Sequence, residues 1–255
     1  MKVRLVSLLT AAVMLVCSGC GFLGKRNTTL YILMYHNLAP DGWECNDWTV
    51  SAGEFRKDLQ WLTDNGYEFV LPSELAAGKS LPEKAVMLTF DDGYASNYEI
   101  GYPILQEYGA KAVIALITKR IEDGVEGFLT WDMCREMQRS GLVEFGSHTH
   151  DVHALANQGV ARGEGESREA YDQRVIPDVD QSIRLIQQEL GTTPVFFAYP
   201  YGRTDEWISD YMKEHFSVTV TTEYRAADIS GGLYELPRIT VNNTSDLSEA
   251  FSAVQ

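Results

Sequence analysis

Apolar positions along the chain fall into short runs separated by polar turns, and the period of the pattern switches between two and about 3.6. Thr29 to His36 is a β-rich apolar run and predicts a strand. Ser51 and Glu54 stand at capping-box spacing, and Phe55, Leu59 and Leu62 form a helical stripe ending near Asn65-Gly66. Ala85 to Phe90 predicts the next strand, followed by a helix carrying Ile100, Ile104 and Leu105. Ala112 to Ile117 predicts a strand, Trp131 to Ser140 a helix stopped by Gly141, and Val143 to Gly146 a strand. The polar stretch from Asn157 to Asp178 reads as a solvated charged face, with an exposed helix over Ser167 to Val175 and Pro177 opening a new one. That next helix carries Val179, Ile183, Ile186 and Leu190 and stops at Gly191. Val195 to Ala198 (strand), Trp207 to Glu214 (helix), Ser217 to Thr221 (strand) and a short Leu233 to Pro237 segment complete the series.

Short apolar strands alternating with helices predict an α/β fold with a parallel sheet covered by helices. About seven such units suit a single barrel better than two domains. Of the 255 residues, 45% are apolar and 22% charged, an ordinary globular balance that allows one large core. Asp and Glu total 36 against 21 Lys and Arg, a formal charge of −15, which argues against binding nucleic acid.

Lys2 and Arg4 precede an apolar run from Leu5 to Val16, and Cys17-Ser18-Gly19-Cys20 follows. A basic start, an apolar middle and a small-residue end predict a secretory signal over residues 1–20. The run is short for a membrane-spanning helix. Ser18-Gly19-Cys20 resembles a lipoprotein cleavage box, although Cys17 stands where that pattern usually has Leu. The expectation is a protein of the cell envelope, anchored to the membrane through lipid on Cys20. Residues 21–28 then form a linker and 29–255 one domain. Cys45 and Cys134 remain and are expected as free thiols.

In a parallel barrel, chemistry gathers at the carboxyl ends of the strands. His36 ends the first strand, and Asp91-Asp92-Gly93 ends the strand from Ala85. His148, His150 and His153 follow the strand from Val143, Tyr199-Pro200-Tyr201-Gly202 follows the one from Val195, and Arg238 follows the last segment. Four of the five histidines thus fall on one rim. Asp-Asp-Gly alone reads as a turn. Two adjacent carboxylates at a buried strand end repel, however, and require a cation or a proton. A divalent metal held by one of them leaves the other free as a base. The three histidines can complete such a site. In an extended strand His148 and His150 share a face, whereas a turn brings His153 round, and spacing alone leaves both open. Two imidazoles and one carboxylate leave coordination positions open, as in catalytic zinc or non-haem iron sites.

The run Thr89-Phe90-Asp91-Asp92-Gly93-Tyr94 resembles the first motif of the polysaccharide deacetylase family, the NodB-like carbohydrate esterases. His148-Thr149 with His153 resembles the second, and Phe197-Ala198-Tyr199-Pro200-Tyr201-Gly202 the third. Tyr35-His36 and Leu236-Pro237-Arg238-Ile239 fit the branch resembling poly-N-acetylglucosamine deacetylases. The likeness runs from about Tyr31 to Thr240 and implies a distorted (β/α)7 barrel of polysaccharide deacetylase type.

Carried over by position, it implies Asp91 as general base, with Asp92, His148 and His153 as metal ligands. The five-residue interval is that of the poly-N-acetylglucosamine branch and favours His153 over His150. His36 becomes the general acid, the backbone N–H of Tyr201 an oxyanion donor, and Thr149 a support of the loop by hydrogen bonding. Ala198 stands where the family usually has an Arg that orients the aspartate, a task that falls to Arg238. His215 is expected to be exposed and without a role. Trp43 and Trp48 are the aromatics expected to touch glycan. The implied cofactor is a divalent ion, zinc first, with nickel, cobalt or iron also tolerated by this ligand set. The implied reaction is removal of N-acetyl groups from an extracellular amino-sugar polysaccharide, of the poly-N-acetylglucosamine type or peptidoglycan. An O-acetyl esterase acting on xylan or wall polymer and a non-catalytic glycan-binding lipoprotein are the alternatives.

Overall fold

The computed structural model describes residues 27–155 and 158–254, so the expected signal, Cys20 and residues 21–26 of the linker lie outside it. Seven strands carry the architecture: β1 (Thr29–Tyr35), β2 (Ala85–Phe90), β3 (Ala112–Leu116), β4 (Val143–Ser147), β5 (Phe196–Ala198), β6 (Val218–Val220) and β7 (Ile239–Thr240). The first six pair in parallel in chain order. The far edge closes through a bridge from Val220 to Leu236, and β7 lies parallel on β1 with Leu33 opposite Ile239. The first half of β1 is covered by an antiparallel pair, Ala227–Asp228. The result is the expected α/β fold, a distorted and partly curled barrel flanked by helices.

Both faces of this sheet are dry, which is why its strands read as unbroken apolar runs rather than alternating ones. All six residues of β2 are buried. One face packs strand residues against each other, with Leu30, Ile32, Met87, Val113, Phe196 and Val218 in one cluster. The opposite face packs Leu33, Leu88, Ile114 and Phe145 against helical Phe55, Leu59, Ile104 and Ile186. The two sets alternate along each strand, as side chains of period two require.

Three local expectations change. Arg168–Leu190 is one helix with Pro177 inside it, in place of two helices. Tyr171, Val175, Val179 and Ile183 bury one continuous stripe across the proline, and this packing outweighs the one backbone hydrogen bond that proline removes. The strand that closes the barrel follows Arg238, while Leu233–Pro237 supplies the single bridge at Leu236. Finally, only half of the capping box forms at Ala52–Asp64. Ser51 Oγ accepts from the Glu54 N–H at 3.3 Å, but the Ser51 N–H donates to Asn243 Oδ1 at 2.8 Å, and Glu54 pairs with Lys57 instead. Cys45 and Cys134 are free thiols, as expected.

Beneath the outer helices, the Tyr35 hydroxyl donates to Asp58 Oδ2 at 2.9 Å. Burial, helped by the charges of Glu54 and Asp246, pushes the Asp58 carboxyl up to about 7. The folded state therefore holds a proton that the unfolded chain releases at ordinary carboxylate pH. Between that range and about pH 7 the native state binds more protons, so stability falls as pH rises through this window. Each tenfold difference in proton affinity between the two states is worth about 1.4 kcal/mol. Asp58→Asn keeps an acceptor for Tyr35 and should flatten this decline, read by urea unfolding at a series of pH values; an unchanged pH slope would refute the assignment.

Candidate metal centre and its cleft

The alternation of side chains explains how the rim is furnished. On β1 the inward series Leu30 and Ile32 continues through Met34 to His36. On β2 Ala85 and Met87 lead through Thr89 to Asp91. On β4 Val143 and Phe145 face the helices, so Gly146 and His148 face inward. His36, Asp91 and His148 are each the first residue beyond a strand. Gly146 is required for close approach, because a Cβ there would lie 2.6 Å from the Phe196 carbonyl oxygen on β5.

Asp92 follows in the left-handed region, φ 73°, a costly conformation for a residue with a Cβ. Its Oδ1 is buried and makes no hydrogen bond. The Nε2 atoms of His148 and His153 each stand 3.5 Å from it, and the ligand atoms of the three residues lie within 4.8 Å of one another. The Nδ1 of His148 is 2.7 Å from the Ala198 carbonyl. A carbonyl only accepts, so Nδ1 carries the proton and Nε2 presents its lone pair to Asp92. Burial pushes both imidazoles below their ordinary pKa, keeping them neutral at pH 7, and pushes Asp92 up. Asp92 Oδ1 and His148 Nε2 thus meet as two acceptors, with His153 Nε2 beside them. A divalent ion satisfies that arrangement, and the residues fit one.

His150 turns away from this point. Its Nδ1 lies 3.0 Å from Thr118 Oγ1 and its Nε2 3.7 Å from Glu122. The loop is shaped by Asp178, which accepts from the backbone N–H groups of His150, Asp151 and Val152 at 2.8, 2.7 and 3.0 Å. A helical turn, Val152–Ala154, then returns His153 to the centre. Asp178 carries no sequence signal for this task, because it sits in the charged stretch next to Pro177. Thr149 supports the loop through its backbone rather than its hydroxyl. Its N–H donates to Ser147 Oγ at 3.1 Å and its carbonyl accepts from Thr118, while its buried Oγ1 is unpaired.

Asp91 meets Arg238 in a two-pronged pair, Nη1 to Oδ1 at 2.8 Å and Nη2 to Oδ2 at 2.7 Å, with Arg238 0% exposed. The guanidinium is held in turn by Thr89 Oγ1 and the Thr221 carbonyl. Burial alone raises the Asp91 carboxyl, but the Arg238 guanidinium overcomes it and holds it well below the usual carboxylate range. Each Asp91 oxygen bonded to the fork keeps a further lone pair.

His36 closes the other side. Asn97 Nδ2 holds its carbonyl at 2.8 Å, a support absent from the sequence expectations, and the ring lies 4.7 Å from that of Trp48. Burial lowers the His36 pKa, opposed by the Asp91 charge. His36, Trp48, Asp91, Asp92, His148 and His153 line a cleft of about 380 Å3 that also includes Tyr94, Tyr201 and Thr222. Tyr201, at φ 59°, lays its ring beside His153 and donates its hydroxyl to the His153 carbonyl at 2.7 Å. His215 lies outside the cleft, half-buried against the Tyr211 ring rather than exposed. The rim residues expected from the sequence, His36, Asp91, Asp92, His148, His153, Tyr201 and Arg238, therefore come together, and His150 does not join the ligand cluster.

Residues 78–218 match the family model described as polysaccharide deacetylase. The Bacillus subtilis (strain 168) protein YxkH is 35% identical over 223 residues, which cover 86% of this chain and 73% of that one. The poly-beta-1,6-N-acetyl-D-glucosamine N-deacetylase of Escherichia coli (strain K12) is 30% identical over 251 residues, covering 85% of this chain and 37% of its own. This chain therefore spans little more than a third of that relative. Among solved structures, the de-N-acetylase from Aggregatibacter actinomycetemcomitans is similar with a TM-score of 0.76 and 29% identity, covering 89% of this chain and 100% of that one. The Streptococcus pyogenes deacetylase PplD, solved in complex with acetate, gives a TM-score of 0.74 and 26% identity, covering 89% and 98%.

Two substitutions test this geometry. Asp178→Ala strips the acceptor from three backbone donors and should weaken divalent-ion affinity about 10- to 100-fold in calorimetric titration, as loss of an outer support does; unchanged affinity would show that the loop holds itself. Arg238→Met removes the cation beside Asp91, raising its pKa, so the acid limb of the rate profile should move to higher pH. Leaving a buried carboxylate unpaired should also cost about 3–5 kcal/mol of stability. A fixed acid limb would rule out electrostatic control of Asp91 by Arg238.

Proposed function

Because this chain belongs to the polysaccharide deacetylase family, we propose that it removes N-acetyl groups from a poly-β-1,6-N-acetylglucosamine-type polymer of the cell envelope and releases acetate. Membership makes it a hydrolase with a metal site acting on an acetylated glycan. The amide and the polymer are the finer reading. The observation that carries it is the convergence of Asp92, His148 and His153 beside an ionised Asp91 in an open cleft. Its support on the substrate side is the E. coli N-deacetylase at 30% identity. The basic and apolar leader ending at Cys20 supports export and lipid anchoring.

We assign Asp92, His148 and His153 as the residues that hold a divalent ion, zinc first on the chemistry of two imidazoles and a carboxylate. When bound, that ion supplies Lewis acidity toward the acetamide carbonyl and the attacking water. Asp91 takes the proton from that water, since Arg238 keeps it ionised while each oxygen retains a lone pair. The charge of Asp91 favours protonated His36, and burial opposes it. His36 is assigned to protonate the departing sugar amine, and the proton that Asp91 takes from water balances the one delivered. The C–N bond breaks, the carbonyl carbon leaves as acetate, and the nitrogen leaves as the amine. Tyr201 borders the site beside His153, and its backbone N–H is assigned to the developing oxyanion.

The test is acetate release from β-1,6-linked N-acetylglucosamine oligomers by the full-length enzyme. Release should stop on chelation, return with a divalent ion, and fall about 10²- to 10⁴-fold in Asp91→Asn. Turnover of acetylated xylan without turnover of the amide would transfer the assignment to an O-acetyl esterase. No acetate from either substrate would contradict both.

A further inference from the structure

Beside the catalytic cleft lies a second groove of about 430 Å3, and the two share Asn37 and Tyr94 in their walls. The deacetylation chemistry makes no use of it. Leu38, Pro40 and Ile100 give it apolar walls, and Tyr94 stacks on Phe128 there with ring centroids 5.1 Å apart. Trp43, also in its lining, is 69% exposed. The same groove presents Glu99 and Glu126, both exposed and neither making a side-chain hydrogen bond or ion pair among the described residues. The segments that carry them are joined by the Ala95 N–H donating to the Gly127 carbonyl at 2.8 Å.

Continuity with the cleft limits what can lie here. The shared Asn37 and Tyr94 put the groove within reach of a polymer that has one sugar over Asp91. An exposed indole suits the apolar face of a sugar ring. Arg120 lies over the Phe128 ring at 5.5 Å but pairs with neither carboxylate, so both are open to a cation on the ligand, and acetylated sugars carry none. The product of the neighbouring reaction does, because hydrolysis turns a neutral amide into an amine that is largely protonated at neutral pH. A formal charge of −15 also draws polycations toward the surface.

Resting on the deacetylase reading of the cleft, we propose that this groove is a subsite for a sugar of the same polymer that has already lost its acetyl group. Glu99 and Glu126 receive its ammonium and Trp43 its ring face. The enzyme then favours partly deacetylated chains and works next to its own earlier product.

Binding is measured without turnover in the metal-loaded Asp91→Asn enzyme, with two probes, a β-1,6-linked glucosamine pentamer and its fully N-acetylated counterpart. At slightly acid pH and low salt the glucosamine pentamer should bind about 3- to 20-fold tighter, as one or two exposed charge contacts allow. The preference should shrink with added salt. Glu99→Gln combined with Glu126→Gln should erase it, and Trp43→Ala should weaken both pentamers alike. Equal affinities with Glu99 and Glu126 in place, or a preference that survives the double substitution, would overturn the proposal. Acetate release from the acetylated pentamer by the unaltered enzyme, followed in parallel, tests the deacetylase reading separately.

Discussion

Two neighbouring carboxylates at the buried end of a strand repel each other, and this molecule answers that repulsion by giving each its own counterpart. Asp91 receives the fully buried fork of Arg238. Asp92 is turned aside by a left-handed backbone, and its buried Oδ1 meets two imidazole nitrogens that are neutral at pH 7. An imidazole lone pair does nothing for a carboxylate charge. A cation or a proton balances the cluster, and because Asp91 already has Arg238, Asp92 is the carboxylate that a cation would join.

The barrel supplies the precision. Side chains of period two on β1, β2 and β4 deliver His36, Asp91 and His148 to one rim, with the inward faces packed directly beneath them. His153 alone comes from an irregular loop, and that loop is gripped by Asp178 from a long buried-face helix. Arg238 arrives through the same closure that seals the barrel, between the Leu236 bridge and β7. Closing the sheet and orienting Asp91 are therefore one structural event.

Much of this was legible in the sequence, because strand runs, turn residues and rim chemistry obey local rules. The strand from Ala85 to Phe90 stands where the apolar run predicts it, and the pairing of Arg238 with Asp91 follows from the resemblance, in which Ala198 replaces the usual Arg, together with their places on one rim. What stayed hidden depends on contacts distant in the chain. Pro177 reads as a helix start locally, yet a stripe from Tyr171 to Ile183 packs across it. Asp178 looks like one more solvated acid until the loop at 150–152 folds onto it. Spacing alone leaves His150 and His153 open and only the family resemblance favours His153, while Thr118 and Glu122 show where His150 goes instead.

X-ray absorption spectroscopy on the zinc-loaded protein tests the central claim most directly. The account predicts a first shell with two imidazole nitrogens and carboxylate oxygen at about 2.0–2.2 Å, losing one imidazole in His148→Ala and one in His153→Ala. A shell without imidazole, or one left intact by both substitutions, would contradict it.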